Sequence, residues 1–103
     1  MRALKVLIVD SDVISRRVLE NLLDGLGHSV RIESDLSVLK QPLEVDLVFI
    51  DPGPVEYHGQ VPHLEVPVVM LLTSTAQPRL YSLNKPYRKE ELVVILEAIA
   101  RTL

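Results

Sequence analysis

An α/β fold built on a doubly wound, five-stranded parallel sheet is the class the sequence predicts, and three observations predict it. Apolar runs recur without polar alternation, they end in acids or hydroxyls, and helix-period segments follow the first and last of them. Lys5–Asp10 (KVLIVD), Asp46–Asp51 (DLVFID) and Val66–Thr73 (VPVVMLLT) are the strong runs. Their β-branched content suits strands buried on both faces. Val30–Glu33 and Leu80–Asn84 are shorter and read as edge strands.

The helices follow from periodicity. Over Val13–Leu26, the residues Ile14, Val18, Leu19, Leu22, Leu23 and Leu26 fall at helical spacing, with Asp12 placed as N-cap and Gly27 as a left-handed C′ residue. Over Arg88–Leu103, Leu92, Ile95, Leu96, Ile99 and Leu103 make a second core-facing stripe. Glu90 and Glu91 in its first turn and Arg101 in its last suit the helix dipole. Asp35–Lys40 has room for a turn or two before Pro42. Between Asp51 and Pro67, three prolines and two glycines leave no room for a regular helix, and residues 74–79 are too few for one. The third and fourth helices of a doubly wound pattern are therefore expected to be reduced or missing.

Composition sets the limits. The 103 residues suit a single domain spanning 1–103. A net charge of −3 with interleaved signs lacks the clustered Lys and Arg of a nucleic-acid surface. Without cysteine there is no disulfide framework, thiolate metal site or thiol nucleophile. The run Val6–Val9 is too short for a signal peptide or a membrane span, so a cytoplasmic protein is expected. His28, His58 and His63 have no mutual ligand spacing and read as loop histidines.

In an open parallel sheet, ligands bind beyond the carboxyl ends of the strands. Those ends carry Asp10-Ser11-Asp12, Asp51, Thr73-Ser74 and Asn84-Lys85-Pro86. Clustered carboxylates need a compensating cation or a proton, and a set of hard oxygens suits Mg²⁺. A hydroxyl and an ammonium nearby are what the remaining oxygens of a phosphoryl group require.

Taken in order, VLIVD ending at Asp10, LGHSV over 26–30, DLVFID ending at Asp51, PVVMLLT ending at Thr73 and Lys85-Pro86-Tyr87 resemble the receiver domain of two-component response regulators. The resemblance implies a flavodoxin-like receiver fold acting as a signalling module in a phosphorelay rather than as a classical enzyme. It makes Asp51 the phosphoryl acceptor from a histidine kinase or phosphotransfer protein. It assigns Mg²⁺ to Asp10, Asp51 and the carbonyl of Gly53, and phosphoryl contacts to Thr73 and Lys85, with a cis bond between Lys85 and Pro86. Asp12 is a further candidate metal ligand, although its spacing favours the cap.

Departures from the family pattern bear on function. Ser11 stands where a second acid is usual, so Mg²⁺ should bind weakly or not at all. Thr73 lies six residues after Pro67, one more than usual, which puts Leu72 in competition for the hydroxyl position. These changes keep a second function open: a pseudo-receiver, the same fold serving as a phosphorylation-independent interaction domain. A more remote alternative takes Asp10-Ser11-Asp12 as the Asp-x-Asp of a phosphatase, with Asp10 as nucleophile and Asp12 as acid/base. The missing helices also leave a sheet face to be covered: the proline-rich segment 52–66, with Val55, Tyr57, Val61 and Leu64, is one candidate cover, and where it does not suffice an effector protein or a homodimer is expected to dock there. The apolar outer face of the last helix (Val93, Val94, Ala98 and Ala100) is a second candidate for the same role. No direct contact with nucleic acid or membrane is expected.

Overall fold

In the computed structural model, five strands form one parallel sheet in the order β2-β1-β3-β4-β5. The strands are β1 (Lys5–Val9), β2 (Ser29–Glu33), β3 (Leu47–Ile50), β4 (Val68–Leu72) and β5 (Ser82–Asn84). Helix α1 (Val13–Gly25) follows β1, and α2 (Lys89–Ala100) follows β5. The residues described are 3–33, 44–51, 66–72, 82–84 and 87–102. The expected short helix at 35–40 and the expected loss of the third and fourth helices fall outside them, as does Leu103.

The register explains why the three strong runs lie in the middle. Val9 pairs with Ile50, so β1 and β3 end on a common level, while β4, whose Met70 pairs with Ile50, runs two residues further. β2 and β5, the two weak runs, are the edges. Because side chains alternate across a strand, each central strand feeds two cores. Val6, Ile8, Leu47, Phe49, Val69, Leu71 and Leu83 face α1 and α2, meeting Leu19, Leu23, Leu92, Leu96 and Ile99. Leu7, Val9, Val48, Ile50 and Met70 form the opposite face.

That second face corrects the expectation of an under-covered sheet. Leu7, Val48 and Ile50 are 0% exposed in the single chain, and Met70 only 6%. Neither α1 nor α2 contributes to this cluster. The chain covers the face without a second copy, and the premise for a dimer through it does not hold at these residues.

Helix α1 matches its predicted span to within one residue, whereas α2 is shorter than the expected 88–103 and Arg101, expected in its last turn, lies just past it. In α1, Leu19 and Leu23 are buried, and Leu22 and Leu26 pack beside them. Ile14 and Val18, expected on the same stripe, are 77% and 43% exposed. At about 100° per residue, Ile14 lies roughly 130° from the middle of the leucine arc, so packing followed the leucines. Asp12 caps the helix, its Oδ1 accepting the N–H groups of Ile14 and Ser15 at 3.0 and 3.3 Å. The far end closes in a Schellman motif. Gly27 takes φ +92°, its N–H donates to the Asp24 carbonyl, and the His28 N–H donates to that of Leu23. In α2, Arg88 is the N-cap without a side-chain cap bond, and Arg101 is the C-cap. Leu92, Leu96 and Ile99 are buried, while Val94 stands 65% exposed.

Candidate functional site

Two acids meet at the carboxyl rim of the sheet because the strands carrying them are neighbours in register. The Asp51 N–H donates to the Val9 carbonyl at 2.9 Å, extending the β1–β3 ladder by one step. Asp10 and Asp51 therefore leave adjacent strands at the same level, from backbones roughly 5 Å apart. By strand alternation, Asp10 continues the face of Val6 and Ile8, and Asp51 that of Leu47 and Phe49. Both carboxylates thus rise on the side that carries the helices.

Asp10 is fixed from several directions. Its N–H donates to the Glu33 carbonyl at 3.1 Å. Its Oδ1 accepts the Asp12 N–H at 2.9 Å. Its own carbonyl accepts from the Arg16 guanidinium at 3.3 Å. The residue is 1% exposed, a buried carboxyl at the end of a central strand. Asp51 is half-buried beside it.

The other predicted residues divide into two groups. Ser11 is exposed in the turn from β1 to α1, and Asp12 commits Oδ1 to the helix cap. Gly53, Thr73, Lys85 and Pro86 lie outside the described residues. Two backbone facts bear on them. Ile50 pairs with Met70, and β4 continues to Leu72, the residue before Thr73 in sequence. Leu72 pairs with Asn84, whose next neighbour in sequence is Lys85.

Two residues of the first turn of α1 were not singled out from the sequence. Ser15 Oγ lies 2.9 Å from the Tyr87 hydroxyl, joining α1 to the segment between β5 and α2. Arg16 reaches back to Asp10. The signal for both was available: they precede Leu19 by four and three residues, so they share its inward arc. His28 was likewise underestimated. It is buried, and its Nδ1 accepts the Leu4 N–H at 3.0 Å. The acceptor role requires a neutral ring with its proton on Nε2, and burial lowers its pKa from the ordinary histidine value.

The donor set fits Mg²⁺ in reduced form. This ion takes one or two carboxylates and keeps several waters, and Asp10 and Asp51 supply two. Among the described residues, no group of three or more acids or histidines that could hold a metal gathers at one point.

The comparisons with known proteins bear on the same architecture. No family model and no curated protein matches the sequence. Solved structures do match. The chemotaxis response regulator CheY4 of Vibrio cholerae is 24% identical with a TM-score of 0.75, over 95% of this chain and 99% of that one. A response regulator from Chloroflexus aurantiacus is 24% identical with a TM-score of 0.76, over 97% and 99%. The receiver domain of PhyR from Erythrobacter litoralis is 19% identical with a TM-score of 0.71, over 96% and 91%. The chain has the receiver-domain fold. The expected flavodoxin-like architecture is thereby established. No described helix is long and apolar enough to cross a membrane.

Proposed function

We propose that this chain is a receiver-type signalling module that accepts a phosphoryl group on Asp51. The observation that carries the reading is the pairing of Asp10 with Asp51 at one level of adjacent central strands. In the transfer, a carboxylate oxygen of Asp51 attacks the phosphorus of a phosphohistidine on the kinase or phosphotransfer protein. The new P–O bond forms as the P–N bond breaks, and the imidazole leaves with a proton. Asp10, Asp51 and the carbonyl of Gly53 would hold Mg²⁺, which when bound supplies charge neutralisation for the phosphoryl oxygens. Thr73 and Lys85 are the residues assigned to those oxygens. Asp10 itself is held rigidly by its three backbone-linked bonds, so little reorganisation accompanies binding. The module works in the cytoplasm and passes its state to an effector protein, for which the exposed Val94 on α2 is one available contact.

A second reading is favoured by a specific observation. With Ser11 in place of an acid, the rim holds two carboxylates, which supports a pseudo-receiver that docks partners without phosphorylation. One experiment separates the two. Beryllofluoride with Mg²⁺ is added to wild type and Asp51→Asn while amide NMR shifts are followed. Shifts centred on Asp10–Asp12 and Asp51 in wild type, absent in Asp51→Asn, are expected. An unchanged wild-type spectrum would favour the pseudo-receiver.

A further inference from the structure

We infer that Arg16 is a built-in counter-charge for the acidic rim and weakens its demand for a divalent cation. The inference deepens the reading of the rim as a Mg²⁺ site and rests on it. It begins from the position of the side chain. Arg16 lies on the inward arc of α1 with Leu19 and Leu23, is half-buried, and places its guanidinium 3.3 Å from the carbonyl of Asp10. Asp10 and Asp51 rise from the sheet on this same side. A guanidinium stays charged at any physiological pH, and one nitrogen bonded to a carbonyl leaves its positive charge in full.

The charge count follows. Arg16 brings one positive charge toward the rim, and Ser11 withholds the negative charge that an acid at its position would add. Clustered carboxylates are stable only with compensation. Here part of it is covalently attached, and the exposed hydroxyl of Ser11 adds none of the charge that an acid would. Substitution at Ser11 and placement of Arg16 act in one direction: both lower the attraction for a divalent ion. Arg16 does this without touching the metal, so it is a tuning residue and not a ligand.

The test uses the full chain and Mg²⁺ alone, read by amide NMR shifts of Asp10–Asp12 and Asp51. Arg16→Gln removes the charge and keeps a polar, hydrogen-bonding side chain. It is expected to bind Mg²⁺ about fivefold more tightly than wild type, the order for a unit charge acting on a divalent ion across a partly solvated rim. The gain should shrink as NaCl is raised. Arg16→Lys keeps the charge and should bind like wild type. Arg16→Met, with a similar aliphatic stem, is a second neutral variant and should show the same gain, should Arg16→Gln fail to fold. Asp10→Asn is the control and should lose binding. Neutral variants that bind no more tightly than wild type, while Asp10→Asn loses binding, overturn the role of Arg16 and leave the metal site standing. An Arg16→Lys variant that behaves like Arg16→Gln overturns it as well, because geometry rather than charge would then be responsible. Asp10→Asn binding as well as wild type, or no binding by any of the proteins, removes the metal site and the inference together.

Discussion

His28 shows how much a single side chain can carry outside the acidic rim. It follows the glycine that ends α1, and its ring accepts the N–H of Leu4, the residue just before β1. Its main chain closes the Schellman motif in the same step. Nothing local in the sequence announces this, because the partner is a backbone group 24 residues away. Protonation would convert Nδ1 into a donor facing another donor, so the charged ring is disfavoured in the fold. The folded pKa is lowered, chiefly by burial. The unfolded chain therefore binds the proton more readily, and stability is full above the unfolded value of about 6.5. It falls as pH drops through the window between that value and the lower folded one. Urea midpoints measured from pH 7.5 down to pH 5 should decline in wild type, and Asn at position 28, which can still present an acceptor, should lose that part of the decline. A second prediction concerns Asp12. Its carboxylate caps α1, so Asp12→Ala is expected to cost about 1 kcal/mol and Asp12→Ser to recover most of it; thermal melts decide between this role and a purely electrostatic one.

At the scale of elements, α1 is a bracket as well as a cover. Its leucines seat it on the sheet, and its first turn reaches two loops at once, Arg16 to the end of β1 and Ser15 to Tyr87 after β5. The Ser15–Tyr87 bond is partly buried and joins residues 72 apart in sequence. Removing one hydroxyl leaves the other to find a new partner, so Tyr87→Phe is expected to cost about 1 kcal/mol. A double-mutant cycle with Ser15→Ala should show coupling of at least a few tenths of a kcal/mol; strict additivity would mean the bond is absent in solution. The span of α1 was legible from Asp12, the leucine spacing and Gly27, but its rotation was not. Ile14 and Val18 fit a helical period when counted from their own end. Only burial of Leu19 and Leu23 settles which arc faces inward, and that arc then carries Ser15 and Arg16 to their partners. The acids were legible for a simpler reason: a charged residue closing each of two buried runs places itself at the rim once the runs pair in register.

For the whole molecule, the question is what covers the second face of the sheet. The continuous runs in β1 and β3 already required burial on both sides. Periodicity does not say what covers that face, so the proline-rich segment 52–66 and a second chain both stood open as its cover. In the structure Leu7, Val48 and Ile50 are wholly buried within one chain. Two consequences distinguish this from a cover supplied by a second copy. Leu7→Ala should open a cavity in a closed core and cost about 2–5 kcal/mol in urea unfolding. The unfolding midpoint of wild type should also be independent of protein concentration, because mass action enters only when the folded state is an oligomer. Were another chain supplying the cover, dilution would lower the midpoint and Leu7→Ala would shift the monomer–dimer balance in sedimentation. Asp10 and Asp51 each follow directly on a residue of this second core, Val9 and Ile50. A cavity at Leu7 that loosens the strand ends should therefore broaden the amide signals of both acids together, whereas Leu96→Ala, in the core on the helix side, should leave their mutual register intact.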